Sequence, residues 1–138
     1  MICYLDSSVV LRKVLLQKNS LNEWNNIRHP FSSRILRLES LRSVDRARLL
    51  GKLSDHQTAE CRARFGEMIT RVGFLPITEA ILRRAEEPFA TPLGSLDGIH
   101  LATAILWREI HGDDLVFATH DKELSLAARA HGFKVIGV

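Results

Sequence analysis

Short apolar runs rich in strand formers alternate along the chain with longer stretches of helical periodicity. ICYL at positions 2–5 predicts a strand ending at Asp6; Ser7 and Ser8, both good helix N-cap residues, open an apolar-rich helix, VVLRKVLL, that stops near Asn19. A short amphipathic piece spans Leu21 to Ile27 around Trp24, Pro30 breaks it, and Phe31 to Ser33 reads as a very short strand. ILRLESLRSVDRARLLGKL then places Ile35, Leu38, Leu41 and Leu49 on one side of a helix that also holds Glu39. Another helix is predicted from about Ser54 to Val72, weakened by Gly66, and FLPI at 74–77 reads as a strand. Thr78 caps a helix through Glu79 to Glu87 that Pro88 and Pro92 end, and Ser95 is placed to cap the uniformly apolar helix DGIHLATAILWREI, which His111 and Gly112 terminate. LVFAT is a buried type of strand, HDKELSLAARAHG a helix closed by Gly132, and KVIGV a final strand.

This alternation predicts a three-layer α/β/α domain with a mostly parallel central sheet. In such sheets the ligand site lies at the carboxyl ends of the strands, the edge on which Asp6 and Asp121 fall. A length of 138 residues without repeats or linkers fits a single domain over 1–138. With 46% apolar and 25% charged residues the chain is ordinary for a globular protein and unlike a disordered one. No apolar run is long enough to span a bilayer, and MICYLDSSVV lacks the basic start of a secretory signal, so no membrane is expected and a cytoplasmic location is. Cys3 and Cys61 make neither a disulfide framework nor a thiolate zinc site; both read as reduced, Cys3 in the core.

The formal charge of +3 does not by itself identify a nucleic-acid partner. Its distribution says more, because arginines crowd the middle of the chain at Arg34, Arg37, Arg42, Arg46, Arg48, Arg62, Arg64 and Arg71. Charge alone still favours solvated helix faces for them.

Four acidic residues sit in settings that suggest a shared site: Asp6 in YLDSS, Glu39 in LRLES, Asp97 in SLDGIHLATA and Asp121 in ATHDKEL. Each has a simpler reading. Asp6 and Asp121 fit helix capping, and Glu39, between Arg37 and Arg42, fits a solvent-facing position. Asp97 is the strongest case, since it stands in the first turn of the most apolar helix, where an unneeded charge is costly. Clustered carboxylates are how proteins hold a hard divalent cation, and one shared site accounts for all four. Asp113 or Asp114 could also approach it, although a turn before LVFAT suits them better. His120 reads as structural or surface, and His100 as a satisfied core histidine with a role behind the acids as the alternative.

The order YLDSS, RLES, SLDGIHLATA and FATHDKELSLAARAHGFKVI resembles the PIN-domain ribonucleases over essentially the whole chain, and the compact length resembles the VapC-type toxins of bacterial toxin-antitoxin pairs. The most specific parts are SLDGIHLATA and the TxD segment followed by LxxAAxxxGxxVI. The resemblance implies that Asp6, Glu39, Asp97 and Asp121 are the catalytic and metal-binding set, with Ser7 and Thr119 as polar supports, Mg²⁺ or Mn²⁺ as cofactor and RNA as substrate. It also implies a homodimer and a cognate antitoxin with a segment in a hydrophobic groove near the site. Leu15, Leu16 and Trp24 suit such a groove, and core packing explains them as well. The competing functional readings are a non-enzymatic protein-binding module, and a DNA nuclease or phosphatase built on the same acids.

Overall fold

The computed structural model describes residues 1–112 and 114–138. Among the described residues, five strands are joined by six α-helices and one 3₁₀ turn, Asn22–Asn26. In chain order they are β1 (Ile2–Leu5), α1 (Ser7–Val14), β2 (His29–Ser33), α2 (Ile35–Leu49), α3 (Asp55–Ile69), β3 (Gly73–Leu75), α4 (Glu79–Glu86), α5 (Ser95–His111), β4 (Leu115–Ala118), α6 (Lys122–Ala130) and β5 (Lys134–Ile136). The sheet order is β3-β2-β1-β4-β5 and every pairing is parallel, so the expected architecture holds with a wholly parallel sheet.

Strand alternation builds the layers, because successive side chains leave opposite faces of the sheet. Cys3 and Leu5 of β1, with Val116 and Ala118 of β4, pack with Val9, Val10 and Val14 of α1, Leu36 and Val44 of α2, and Cys61 and Phe65 of α3. Tyr4 of β1, with Leu115 and Phe117 of β4, packs on the other face with Leu101, Ala104 and Ile105 of α5 and Leu124, Ala127 and Ala128 of α6. Tyr4 stacks on Phe117 with ring centroids 5.1 Å apart. Both cysteines are free and buried, and burial pushes the Cys3 thiol up to about 12, leaving it inert. No helix among the described residues is long and apolar enough to cross a membrane.

Several local expectations are corrected. Helix α1 ends at Val14, before Leu16 and Asn19 turn the chain at positive φ. Pro30 lies inside β2, opposite Cys3; the pairing of β2 with β3 starts only at Phe31, so the proline sits where one side of the strand needs no donor. On α2 the buried residues are Ile35, Leu36, Ser40 and Val44, whereas Leu38 is 57% exposed: the inner stripe runs through positions 36, 40 and 44 and not through 38 and 49, and a serine within it hides its apolar period. Ser95 is the first residue of α5, Gly94 is its N-cap, and no side chain caps that end.

The chain steps outward from β1 to β2 and β3, then crosses to the other side of β1 for β4 and β5. The reversal leaves a crevice at the carboxyl ends of β1 and β4, where doubly wound sheets place their ligands. Residues just past β5 seal it from behind. Gly137 has φ of 100°, and a Cβ there would lie 2.5 Å from the Thr119 carbonyl oxygen. Gly137→Ala is therefore expected to destabilise the fold by roughly 2 kcal/mol or more, measured by denaturant unfolding, with Gly51→Ala at an uncrowded positive-φ glycine costing less.

Candidate active site

Asp6 follows β1 directly and is the N-cap of α1, yet it is only 2% exposed. A buried carboxylate needs donors, and the local turn supplies them. Oδ1 accepts the Ser7 amide at 2.7 Å, and Oδ2 accepts the Ser8 amide at 3.3 Å, the Ser8 hydroxyl at 2.5 Å and the Thr119 hydroxyl at 2.9 Å. Ser7 contributes mainly through its backbone, its hydroxyl lying 3.5 Å from Oδ1; the closer serine support comes from the Ser8 hydroxyl, which also accepts the His120 amide at 2.9 Å. Nothing in the residue types separates Ser7 from Ser8. The helical offset decides it.

Thr119, at the end of β4, joins two of the acids. Its hydroxyl donates to Asp6 and accepts the Asp121 amide at 3.0 Å. Asp121 caps α6 by accepting the Leu124 amide on Oδ1 at 2.8 Å. Capping and membership of an acidic cluster thus coexist in Asp6 and Asp121.

Glu39 reaches the cluster from α2 because the true inner stripe brings position 39 to the edge of the core, with its side chain 14% exposed. It is held by His100, whose Nε2 lies 2.5 Å from Oε1 of Glu39 and 3.7 Å from Oδ1 of Asp6. His100 is fully buried, and its Nδ1 meets the Tyr4 hydroxyl at 2.7 Å, which in turn accepts the Ser33 amide at 3.1 Å. With Nε2 protonated, this chain is satisfied from Ser33 through Tyr4 and His100 to Glu39. Burial alone would lower the imidazole pKa; the hydrogen bond His100 donates to Glu39 and the charges of Asp6, Glu39 and Asp97 overcome it and raise it above the ordinary 6.5. Burial drives the Tyr4 phenol far up, so it stays protonated. His100 is therefore both a satisfied core residue and the group behind the acids. Its partners lie 61 and 96 positions away in the chain, and only its place one turn after Asp97 signalled it.

Asp97 stands in the first turn of α5, and no described residue donates a hydrogen bond to its carboxylate. Its carboxyl is pushed up to about 6, first by burial, then by the negative charges of Asp6 and Asp121 and more weakly by Glu39, against the opposing pull of His100. The three other acids thus all act on Asp97. Among the described residues no three His, Cys, Asp or Glu side chains form a ready-made metal cage. The donor chemistry nonetheless fits a hard cation: the acids offer carboxylate oxygens, and at Asp97 the charges of Asp6 and Asp121 each outweigh the opposing His100. Asp114 precedes β4, at the opposite end of the strand from Asp121, and does not join them; Asp113 lies outside the described residues. His120 turns away, its Nδ1 2.5 Å from the Gly137 carbonyl oxygen.

The raised Asp97 has a definite sign in stability. The folded chain holds this proton more tightly than the unfolded one, so stability is lost as pH rises from about 4 through 6. Without divalent cations, Asp97→Asn is expected to be more stable than the parent at pH 7.5 by on the order of 1 kcal/mol after allowance for solvent screening, the gain fading toward pH 4 in thermal melts.

A profile of the PIN domain family matches residues 3–130. No curated protein matches the chain. Among solved structures the fold is similar to VapBC2 from Rickettsia felis bound to a DNA fragment from its promoter, with a TM-score of 0.65 and 14% identity over 98% of this chain and 97% of that one. It is also similar to a toxin-antitoxin complex from Klebsiella pneumoniae, with a TM-score of 0.62 and 19% identity over 89% and 90% of the two chains. VapBC-1 from nontypeable Haemophilus influenzae gives a TM-score of 0.54 and 18% identity over 98% and 96%. At these identities the structures speak for the fold, while the profile spans nearly the whole sequence: the chain belongs to the PIN domain family.

Proposed function

We propose that the protein is a metal-dependent endoribonuclease that hydrolyses RNA phosphodiester bonds and serves as the toxin of a toxin-antitoxin pair. The observation that carries this reading is geometric: four acids from four elements meet at the crevice beside β1 and β4, Asp6 and Glu39 on His100, Asp6 and Asp121 on Thr119, and Asp97 one turn before His100 on α5. Asp6, Glu39, Asp97 and Asp121 would hold Mg²⁺ or Mn²⁺. Such an ion supplies neutralisation of charge developing on the scissile phosphate and a lowered pKa for water. The protein's own part is orientation. Ser8 and Thr119 fix the Asp6 carboxylate, Thr119 ties it to the start of α6, and the His100–Tyr4 chain holds Glu39.

The sheet and both helical layers draw on residues from Ile2 to Ile136, which supports reading the whole chain as one domain. The VapBC likeness supports an antitoxin partner, and the homodimer is proposed on the family resemblance alone. A groove of about 430 Å³ lined by Leu16, Trp24, Ile27 and Met68, with Lys13 and Arg64 at its side, suits an apolar antitoxin segment; Trp24, Ile27 and Met68 also pack against the core, as does Leu15, which does not line the groove.

Cleavage of single-stranded RNA is expected to require Mg²⁺ or Mn²⁺ and to fall by about 100-fold or more in Asp6→Asn and in Asp97→Asn, with circular dichroism unchanged. Undiminished cleavage in both variants rejects the assigned site. DNA and phosphomonoester substrates run in parallel identify a DNA nuclease or a phosphatase instead. Divalent cations are also expected to raise the melting temperature of the parent and much less that of Asp97→Asn; no rise in the parent, with no cleavage of any substrate, favours the non-enzymatic module.

A further inference from the structure

Four carboxylates repel a polyanion, so an acidic cleft that acts on RNA needs positive charge beside it. The structure offers this on α2. Arg42 and Arg46 follow Glu39 at intervals of three and seven residues, on the same side of the helix and about 4.5 and 10.5 Å further along its axis. Both are exposed, and neither guanidinium has a hydrogen bond or ion pair with any described residue. Arg48, by contrast, is held by Asp45 at 3.0 Å, which also compensates the one other acid beside Arg42 and Arg46.

The two arginines open onto a groove of about 370 Å³ that runs between α2 and the starts of α1 and α5, lined also by Glu39, Ser7, Leu49 and Leu96. Glu39 is common to this groove and to the acidic cluster, and Ser7 neighbours Asp6, so the groove opens directly from the site. Arg42 further borders an adjoining hollow with Arg34, Arg37 and Arg62, each without an ion pair to a described residue. The groove lining contains no aromatic side chain, the usual platform for stacking bases.

We infer that the groove along α2 is the track of the RNA strand flanking the scissile bond, with Arg42 and Arg46 gripping successive backbone phosphates and little reading of the bases. This rests on the ribonuclease reading above. The free cations, their phase with Glu39 and the continuity of groove and cleft are what a sugar-phosphate backbone requires.

The test uses the full chain carrying Asp97→Asn, to suppress cleavage, and a fluorescent single-stranded oligouridylate of roughly 12 nucleotides. Adding Arg42→Ala and Arg46→Ala is expected to weaken binding about tenfold or more at low salt and to reduce the slope of log K against log salt by about 1.4, two phosphates' share on a single strand. Arg83→Ala with Arg129→Ala, on helices α4 and α6, is the control and leaves affinity within about twofold. In the otherwise unmutated protein Arg42→Ala/Arg46→Ala raises KM about tenfold with kcat within about threefold, and Arg42→Lys/Arg46→Lys recovers most of the affinity, which a folding defect would not allow. If the Asp97→Asn chain binds RNA and the arginine pair changes neither affinity nor salt slope, the track is wrong while the ribonuclease reading stands. If the parent cleaves no RNA and Asp97→Asn binds none, the ribonuclease reading falls and the track with it. Arginine-dependent capture of polyglutamate in place of RNA overturns the track in favour of an acidic protein partner.

Discussion

Everything at this site depends on keeping one carboxylate charged where water scarcely reaches. Asp6 ends the central strand and is almost wholly enclosed, a position in which an unpaired charge costs several kcal/mol. The turn into α1 lends it two amides and the Ser8 hydroxyl; β4 lends it Thr119. The last of these is the only one that reaches across the sheet, and it converts a local cap into a fixed distance between the ends of β1 and β4. Asp121 and the start of α6 follow from that distance, because the same threonine oxygen receives the Asp121 amide.

Core and site are not separate designs. Tyr4 points from β1 into the α5–α6 layer, where its ring stacks on Phe117 and meets Phe31 edge-on at 5.5 Å, and its hydroxyl ends against His100. The packing that holds the ring also sets the imidazole, and the imidazole sets Glu39 on the far side of the sheet's edge. Two helical layers that share no apolar core are thereby coupled through a polar chain of four residues, Ser33, Tyr4, His100 and Glu39. Losing one partner from such a buried chain is costly, since a half-satisfied polar network is worse than none.

Much of this could be read from the residues because it rests on local chemistry. YLDSS is a strand, a cap and a helix start in five letters, and LVFATHD repeats the device in β4 and α6. SLDGIHLATA announces a charge at the head of an apolar helix, although Gly94 rather than Ser95 begins the turn. What stayed hidden is what needs the third dimension. The inner face of α2 contains Ser40, so its apolar residues fall out of period and Leu38 looks like core while facing solvent. The contact between Glu39 and His100 joins parts of the chain with no common motif. The choice of Ser8 over Ser7 as the closer hydroxyl support turns on one step of helix rotation, which composition does not encode.

The support behind Thr119 carries a consequence in time. Its amide donates to the Ile136 carbonyl at 3.1 Å, Gly137 presses on its carbonyl, and His120 reaches the carbonyl of Gly137. Asp6 precedes this backing by more than a hundred residues, so a ribosome makes it well ahead of the segment that braces it. A nascent chain can therefore lay down β1 and α1 early, but the alignment of its acids waits for the segment that braces Thr119. Assembly of the cleft therefore waits for residues 136–137, and a chain cut before them lacks this bracing of Thr119.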